Sequence, residues 1–318
     1  MKMDVDVINN QSSDQVILVC AADDNYAMPL AVTCRSVLEN LGKDRIISIF
    51  IIGNGISKNN KIRIEKSLNS NSCNLRWLDI QIEELQELSS LPTIPYYLPI
   101  SAYYRLFIAE LLPRNIKQAI YLDSDLIVCK DIGLLWDLGI GENALTAVQD
   151  FGIPFVSSEY GLDQYQELGL APDCKYFNSG VLVINLDVWR TEEISKKVIE
   201  YSLQNRSHIH FADQDGLNAI LAKKWLELDP RWNQQASLFG YHSWQETTFS
   251  ETKYSQLLID PYIVHFSRKK PWKSLDPHPN RHLFFKYLDK TDWKGYRFSI
   301  LQRLWRKTIR GLKKVFKT

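Results

Sequence analysis

The stretch Gln15–Tyr26, QVILVCAADDNY, joins an apolar, β-branched run to a polar ending. A run without any charge that meets Asp23-Asp24-Asn25 predicts a buried strand ending in a polar loop. Apolar residues then recur at helical spacing over residues 28–41 and stop before Gly42, which predicts a helix after the loop. A strand that leads into a helix in this way is the first half of a βαβ unit.

The same alternation continues along the chain. Residues 46–52 predict a second strand, Ser57 is suited to cap a helix over residues 58–68, and residues 75–80 predict a third strand. Further strands are predicted at 118–122, 144–148, 180–184 and 225–228, and further helices at 101–112, 192–205 and 213–222. This rhythm predicts an α/β protein in which the first strands are parallel and helices flank the sheet. Ligands of such sheets gather at the carboxyl ends of the strands.

The composition is that of a globular protein. Over 318 residues, 45% are hydrophobic and 24% are charged, which excludes the disordered and fibrous classes. Residues 1–14 are predicted to be a disordered tail without a signal core, and no apolar run approaches the ~18 residues of a membrane span. The five cysteines form no CxxC pair, so we expect neither a disulfide framework nor a zinc site, and a cytoplasmic location fits.

Charge is distributed unevenly along the chain. Residues 294–318 contain nine of the 38 Lys and Arg residues and no acid, which leaves 29 basic and 37 acidic residues before them, a net charge of −8. A body this acidic predicts no nucleic-acid partner. In the tail, apolar residues recur at spacings of three and four, which favours a basic amphipathic helix on an anionic membrane surface, at the inner face. The alternative is a helix packed on the acidic body.

Asp123-Ser124-Asp125 follows directly after the strand predicted at 118–122. Two carboxylates at positions i and i+2 beside a strand end can address one divalent cation, and hard oxygen ligands suit Mn²⁺ or Mg²⁺ bridged to a substrate phosphate. Aspartates at strand ends also form turns by bonding their own backbone, which is the alternative interpretation.

His265 ends another apolar run, residues 257–264, and is followed closely by Lys270. An imidazole at this place can complete the coordination of a metal, and the lysine can meet phosphate oxygens as a mobile positive charge. Taken alone, a histidine after a strand is more often a structural residue.

Seven segments occur in an order that resembles glycosyltransferase family 8, which includes bacterial lipopolysaccharide glycosyltransferases and glycogenin. They are Ala21–Tyr26, Ile100–Leu106, Tyr121–Asp125, Phe177–Val181, Asp213–Asn218, Asp229–Asn233 and His265–Trp272. The resemblance covers roughly residues 15–275 and implies a GT-A nucleotide-sugar fold as a single domain over residues 15–293, with a Rossmann-like mixed sheet. Residues 294–318 would form the membrane-associating tail.

The resemblance implies a metal-dependent retaining transfer of a hexose, galactose or glucose, from a UDP-sugar to a glycan or glycolipid acceptor. It implies that Asp123, Asp125 and His265 hold Mn²⁺ or Mg²⁺. The residues implied for donor binding are Ala21, Asp23, Asn25, Tyr26, Arg105, Ser124 and Lys270. Of these, Asp23 and Asn25 would bond uracil, Tyr26 would lie along it, and Arg105 would approach the donor sugar and the diphosphate.

Four further residues are implied to act on the reacting sugar: Gln214, Asp213, Asp150 and Asn178. Asp213 would alternatively be the N-cap of its own helix, and Asp150 would alternatively be an ordinary loop carboxylate. Retention requires either a covalent intermediate on a carboxylate or attack from the face that the diphosphate leaves. Our hypothesis is same-face substitution, with the Gln214 amide beside the anomeric carbon.

The chain departs from the family pattern at Arg268, which stands where family members commonly have glycine, in a segment one residue shorter before Lys270. Arg268 or Lys269 can replace the missing backbone N–H donor to the diphosphate. Two rival functions stay open: a glycogenin-like self-glucosylating protein, and a catalytically silent membrane adaptor that binds nucleotide-sugar or glycan.

Two other patterns are weak. Gly53 and Gly55 resemble the start of a dinucleotide fingerprint, but Lys58 occupies the third glycine position. His208 and His210 can be metal ligands, although surface or packing histidines are more common.

Overall fold

Ten strands form two sheets in a computed structural model of the protein, which describes residues 15–81, 88–92, 100–268, 270–273 and 278–299. The strands are β1 Gln15–Ala22, β2 Ile46–Gly53, β3 Cys73–Leu78, β4 Gln118–Leu122, β5 Leu126–Val128, β6 Leu145–Gln149, β7 Phe177–Asn185, β8 Trp225–Glu227, β9 Gln234–Gln235 and β10 Ile263–His265.

Helices flank these sheets. The α-helices of the described residues are α1 Ala27–Asn40, α2 Lys58–Ser67, α3 Ile108–Leu111, α4 Ile132–Trp136, α5 Leu186–Thr191, α6 Ile194–Gln204, α7 Asp213–Leu221, α8 Glu251–Ile259 and α9 Arg281–Leu288. Short 3-10 helices span Asp24–Tyr26, Ile100–Phe107, Arg206–His208, Pro230–Asn233, Ala236–Gly240 and Trp244–Glu246. The helix predicted over residues 101–112 is thus mostly a 3-10 helix, and only its last turn is α-helical.

The large sheet is mixed. Its strand order is β3-β2-β1-β4-β7-β6-β8. The pairs among β3, β2, β1 and β4 are parallel, whereas β7 runs antiparallel to both β4 and β6. The predicted α/β class and mixed sheet are confirmed. Because β4 and β7 run in opposite directions, the end of β4 lies beside the start of β7, and this puts residues of both strands at one edge.

Strand β1 divides its side chains between two cores. Val16, Leu18 and Cys20 belong to one apolar cluster, and the alternate residues Ile17 and Val19 belong to the other. All five are buried, as expected of a strand covered on both faces. The period of two along an uncharged run therefore explains why this strand lies in the middle of the parallel half.

The small sheet has the order β5-β10-β9, and its strand β10 places His265 opposite Leu126. The apolar run over residues 257–264, which the sequence presents as one segment, belongs to two elements: α8 ends at Ile259, and β10 begins at Ile263 after a bend at Tyr262. The last three residues of α8 and the strand β10 are both mostly apolar, so hydropathy alone does not separate them.

The end of the described chain packs on the body. Residues 294–299 are irregular rather than helical, Phe298 is buried, and the hydroxyl of Tyr296 donates to the carbonyl of Trp272 at 3.2 Å. Residues 1–14 and 300–318, which include the predicted N-terminal tail and most of the predicted basic helix, lie outside the described residues. Within the described ranges, no helix is both long enough and apolar enough to cross a membrane.

Candidate active site

Asp123, Ser124 and Asp125 connect the large sheet to the small one. The Asp123 backbone N–H donates to the carbonyl of Gly180 at 2.9 Å, which continues the β4–β7 pairing beyond β4. The Ser124 hydroxyl donates to the carbonyl of Ala21 at 2.6 Å, at the end of β1. Two main-chain anchors, one on each side, therefore hold the aspartates at the edge where β1 and β4 end and β7 begins.

The side chains of Asp123, Asp125 and His265 converge on one point. Nε2 of His265 lies 3.8 Å from Oδ2 of Asp123 and 3.3 Å from Oδ1 of Asp125. The three ligand atoms all lie within 4.8 Å of one another, and no other group of three His, Cys, Asp or Glu in the described part of the chain does so. The structure thus brings together the three residues that the resemblance implied as metal ligands.

Each aspartate has one carboxylate oxygen that pairs with other side chains and one that faces His265. Oδ1 of Asp123 accepts from the Tyr121 hydroxyl at 2.9 Å and lies 3.0 Å from Nη2 of Arg105. Oδ2 of Asp125 pairs with the Lys270 ammonium. The remaining oxygens, Oδ2 of Asp123 and Oδ1 of Asp125, are the two that converge on the imidazole.

The tautomer of His265 follows from a chain of hydrogen bonds that begins at a backbone N–H. The Gly180 N–H donates to Oδ1 of Asn178 at 3.0 Å, so that oxygen is an acceptor. Asn233 must then donate to it through Nδ2, at 2.9 Å, which turns Oδ1 of Asn233 toward Nδ1 of His265, also at 2.9 Å. His265 therefore donates from Nδ1, which leaves Nε2 as the ring nitrogen that faces the two carboxylates and that would bind a metal.

Two carboxylate oxygens that converge on one point repel each other unless a positive charge lies between them. Burial opposes ionisation of Asp125, but Lys270 and His265 outweigh it and hold the pKa of that carboxyl below its usual range. Two carboxylate oxygens and one imidazole nitrogen are a donor set that suits Mn²⁺ or Mg²⁺. The residues present therefore fit a divalent cation.

Gly180 leaves the room for such an ion. A Cβ at this position would lie 2.5 Å from Cε1 of His265 and 2.9 Å from Oδ2 of Asp123, closer than real Cβ contacts allow. Any other residue at position 180 would push two of the three candidate ligands apart. The glycine of the Phe177–Val181 segment thus has a steric role that the sequence did not reveal.

Arg105 joins the aspartates on the other side of the cluster. Its Nη2 lies 3.0 Å from Oδ1 of Asp123, and its Nε lies 2.9 Å from Oδ2 of Asp213. The guanidinium lies over the Tyr121 ring, 4.6 Å from its centroid. Burial disfavours its charge, but Asp123 and Asp213 outweigh that effect and raise the pKa of Arg105. Arg105 thus positions both carboxylates, in addition to any contact that it makes with a bound donor.

Asp213 is the first residue of α7 rather than its cap. The N-cap is Ala212, which adopts φ 50° and makes no side-chain hydrogen bond, so the alternative role of Asp213 as N-cap is wrong. Burial raises the pKa of Asp213 to about 7, although Arg105 opposes the rise. The strained backbone at Ala212 turns the chain so that the Asp213 side chain reaches Arg105.

Gln214, Asp150 and Asn178 form one buried network. Oδ2 of Asp150 accepts from Nδ2 of Asn178 at 2.9 Å and from Nε2 of Gln214 at 3.2 Å. Oδ1 of Asp150 accepts from the backbone N–H groups of Gly152 and Ile153 at 2.8 and 3.0 Å. Asp150 is therefore both a turn former, as in our alternative interpretation, and a partner of the two amides.

The loop after β1 lies near the same cluster. Tyr26 packs edge-on against Trp272, with ring centroids 6.1 Å apart, and burial together with the negative charges of Asp125, Asp23 and Asp123 raises the pKa of its hydroxyl. Oδ1 of Asp23 accepts from the Tyr26 N–H at 3.1 Å, and the exposed Asn25 amide bonds Oδ2 of Asp23 at 3.3 Å. The implied base-binding residues and the candidate metal ligands thus lie near one another.

Sequence reasoning missed the role of Asn233. It lies in the Asp229–Asn233 segment, and its local signal, the end of a 3-10 helix, says nothing about a histidine of another strand. His208 and His210, in contrast, both bond Asp163, at 3.1 and 2.9 Å. They pair with that carboxylate and do not belong to the Asp123–Asp125–His265 cluster.

Comparisons of this sequence with family models and with known proteins agree on one family. The sequence model of glycosyl transferase family 8 matches residues 17–276. General stress protein A of Bacillus subtilis is 33% identical over 280 residues, which cover 87% of this chain and 94% of that protein. The lipopolysaccharide 1,3-galactosyltransferase of Salmonella typhimurium is 26% identical over 301 residues, which cover 92% of this chain and 83% of that enzyme.

The fold is similar to that of a solved galactosyltransferase. The crystal structure of LgtC in complex with donor and acceptor sugar analogues superposes with a TM-score of 0.75 at 27% identity, and the match covers 87% of this chain and 96% of that one. The large sheet with its flanking helices is therefore of the GT-A type, as the resemblance implied.

Proposed function

The chain belongs to glycosyl transferase family 8, and on this basis we propose that it transfers a hexose, galactose or glucose, from a UDP-sugar to a glycan or glycolipid acceptor with retention of configuration. The observation that carries the proposal is the convergence of Asp123, Asp125 and His265 next to Lys270. A site that gathers these charges at the ends of parallel strands suits a nucleotide diphosphate.

Oδ2 of Asp123, Oδ1 of Asp125 and Nε2 of His265 would hold Mn²⁺ or Mg²⁺. Such a cation, when bound, neutralises charge that develops on the leaving diphosphate. Lys270 lies within hydrogen-bond reach of Asp125 and can exchange that partner for a phosphate oxygen. Asp23, Asn25 and Tyr26 would bind the base and ribose. Ala21 and Ser124, which are joined by a hydrogen bond, would line the donor site beside them.

The hexose would lie over Gln214, Asn178 and Asp213. Two carboxylates, Asp213 and Asp215, flank Gln214 in the sequence, and the contacts of both disfavour a covalent intermediate. Asp213 pairs with Arg105, and Asp215 is fully buried and accepts bonds from Tyr176 and from two backbone N–H groups. This supports same-face substitution, in which the leaving phosphate oxygen takes the proton of the attacking hydroxyl as the new glycosidic bond forms.

A lipid-linked acceptor fits the charge pattern of the chain. The related Salmonella enzyme is named for transfer of galactose to lipopolysaccharide. Residues 300–318 carry seven Lys and Arg residues and no acid. As a helix with an apolar face, this segment would hold the protein at the inner face of an anionic membrane, next to such an acceptor.

The test is UDP release by the purified full-length protein over a panel of UDP-sugars with Mn²⁺, beside the same panel in EDTA and beside UDP binding measured by calorimetry. We expect metal-dependent release from UDP-galactose or UDP-glucose. Absence of UDP binding would overturn the proposal. Binding without turnover of any donor would instead favour the silent adaptor, and a mass increase of the protein itself would favour self-glucosylation.

A further inference from the structure

Arg268 is a cation that the proposed donor chemistry does not use. Its Nη2 atom lies 3.9 Å from the position that a Cβ would take at Gly152, in the loop that follows β6. The same position is 3.5 Å from Oδ1 of Asp150 and 3.7 Å from Cβ of Ser237. The guanidinium therefore lies over the Gly152 loop, on the Asp150 side of the cleft.

Tyr241 supports this placement. Its hydroxyl donates to the carbonyl of Phe151, the residue before Gly152. Burial and the negative charge of Asp150 raise the pKa of Tyr241, and the positive charge of Arg268 opposes the rise. Arg268, Tyr241 and Ser237 thus surround one small site at Gly152, in which Arg268 and Gly152 are exposed and the other two residues are half-buried.

The guanidinium in this site has no anionic partner in the described part of the chain. No described carboxylate forms an ion pair with Arg268, in contrast to Lys270, which pairs with Asp125. Asp150, the nearby acid, has both oxygens occupied by the Gly152, Ile153, Asn178 and Gln214 donors. Arg268 is also exposed, so its charge is available to a ligand.

We propose that Arg268 determines acceptor specificity by binding a negatively charged substituent, a phosphate or carboxylate, of the acceptor. The proposal rests on the proposed function, because it needs the hexose to lie over Gln214 and Asn178. Both amides are bonded to one oxygen of Asp150, and Arg268 lies beyond that carboxylate, across the Gly152 loop. A guanidinium offers a planar fork of donors that matches phosphate and carboxylate.

The experiment compares glucose, glucose 6-phosphate and glucuronic acid as probes, bound to the full-length protein in the presence of UDP and Mn²⁺. Hydrogen bonds to a charged group contribute about 1.5–3 kcal/mol, so we expect the two anionic probes to bind roughly 10- to 100-fold more tightly than glucose. Arg268→Gln should remove this difference, and Arg268→Lys should restore part of it. Arg114→Gln, at an exposed position away from the cleft, should preserve it.

Equal binding of all three probes to the wild type, including no binding of any, would overturn the inference, and so would an unchanged preference in Arg268→Gln. Weaker UDP binding in that variant with an intact preference would place Arg268 on the diphosphate and overturn it as well. A difference between the phosphate and the carboxylate probes would identify the preferred anion. If the wild type binds no UDP, the proposed function fails too; if it binds UDP without an anion preference, only this inference fails.

Discussion

Nδ1 of His265 lies 2.9 Å from Oδ1 of Asn233, and this hydrogen bond determines which ring nitrogen faces Asp123 and Asp125. The amide of Asn233 is oriented by Asn178, which is oriented in turn by a backbone N–H of β7. The tautomer of a candidate metal ligand is therefore set by the main chain of another strand. Partners of this kind orient metal-binding histidines and raise their basicity.

Asn233→Ala should weaken Mn²⁺ binding about 10- to 100-fold, because His265 would lose the acceptor that holds its Nε2 lone pair toward the ion. Mn²⁺ affinity in the presence of UDP, measured by electron paramagnetic resonance, checks this. Asn233→Asp should keep more of the affinity, since a carboxylate still accepts from Nδ1. Equal affinity in both variants and the wild type would contradict the role of Asn233, and Asn143→Ala is the control at a distant partly buried asparagine.

Gly180→Ala should abolish metal binding, because its Cβ would lie 2.5 Å from Cε1 of His265. Overpacking of this kind costs about 1–3 kcal/mol of stability, so thermal unfolding should show a folded protein of lowered Tm. Gly240→Ala is the matched control: nothing lies within 4 Å of its Cβ position, and we expect a change within about 0.5 kcal/mol. Normal Mn²⁺ affinity in Gly180→Ala would show that the ion binds elsewhere.

Asp125→Ala should lower kcat for donor turnover by about 100-fold or more, since the cation would lose a carboxylate ligand and its Lewis-acid contribution amounts to several kcal/mol. Circular dichroism should show an intact fold. Asp44→Ala, an exposed aspartate, serves as the control. Full turnover in Asp125→Ala would refute the metal assignment.

Asp229 should make stability depend on pH in the acid range. Burial opposes its ionisation, but the bonds from Arg231 and Lys253 outweigh burial and lower its pKa to about 2. Because this pKa is below the unfolded value of about 3.9, the stabilisation is complete above that value and is lost as pH falls from about 4 toward 2. Asp229→Asn should give a shallower loss of Tm below pH 5 than the wild type.

The control for that profile is Asp79→Asn, whose side chain is 75% exposed. Identical acid profiles for wild type and Asp229→Asn would show that the Asp229 pairs do not contribute. The result bears on the site as well, because Asp229 accepts from the Arg231 N–H at 3.0 Å and so caps the 3-10 helix that carries Asn233.

A chain that stops after Ser299 should lose sedimentation with phosphatidylglycerol vesicles, while the full chain should sediment with them and not with phosphatidylcholine vesicles. Each basic residue near an anionic surface contributes about 1 kcal/mol, and the removed segment carries seven. The truncation is placed after Ser299 so that Phe298, which is buried in the body of the protein, is kept. Unchanged sedimentation would refute the tether, and a lowered Tm of the shortened chain would favour the helix packed on the body.

The sequence predicted those parts of the fold and site that have local signals. Strand β1 matches its predicted bounds because its apolar run is sharply ended by Asp23, and Asp123 and Asp125 stand out because they follow such a run. Their meeting with His265 required the family resemblance, since nothing in the run over residues 257–264 shows that only its last residues form a strand.

Contacts between elements that are distant in the sequence could not be predicted from it. Asn233, Gly180 and the anchor from Ser124 to Ala21 act through neighbours that lie on other strands, and no spacing within a segment encodes them. Arg268 shows the same limit. The departure from the family pattern was visible, but its side chain lies over the Gly152 loop, a place that only the packing of β6 against the small sheet determines.

The pairing of β10 with β5 also sets an order of events during synthesis. The ribosome produces Asp123 and Asp125 long before it produces His265 and Lys270, and the imidazole reaches the carboxylates only when β10 pairs with β5. A nascent chain that ends before residue 263 has the carboxylate pair without its nitrogen ligand or its lysine. If the proposed function holds, a nascent chain can turn over a donor only after translation has passed Lys270.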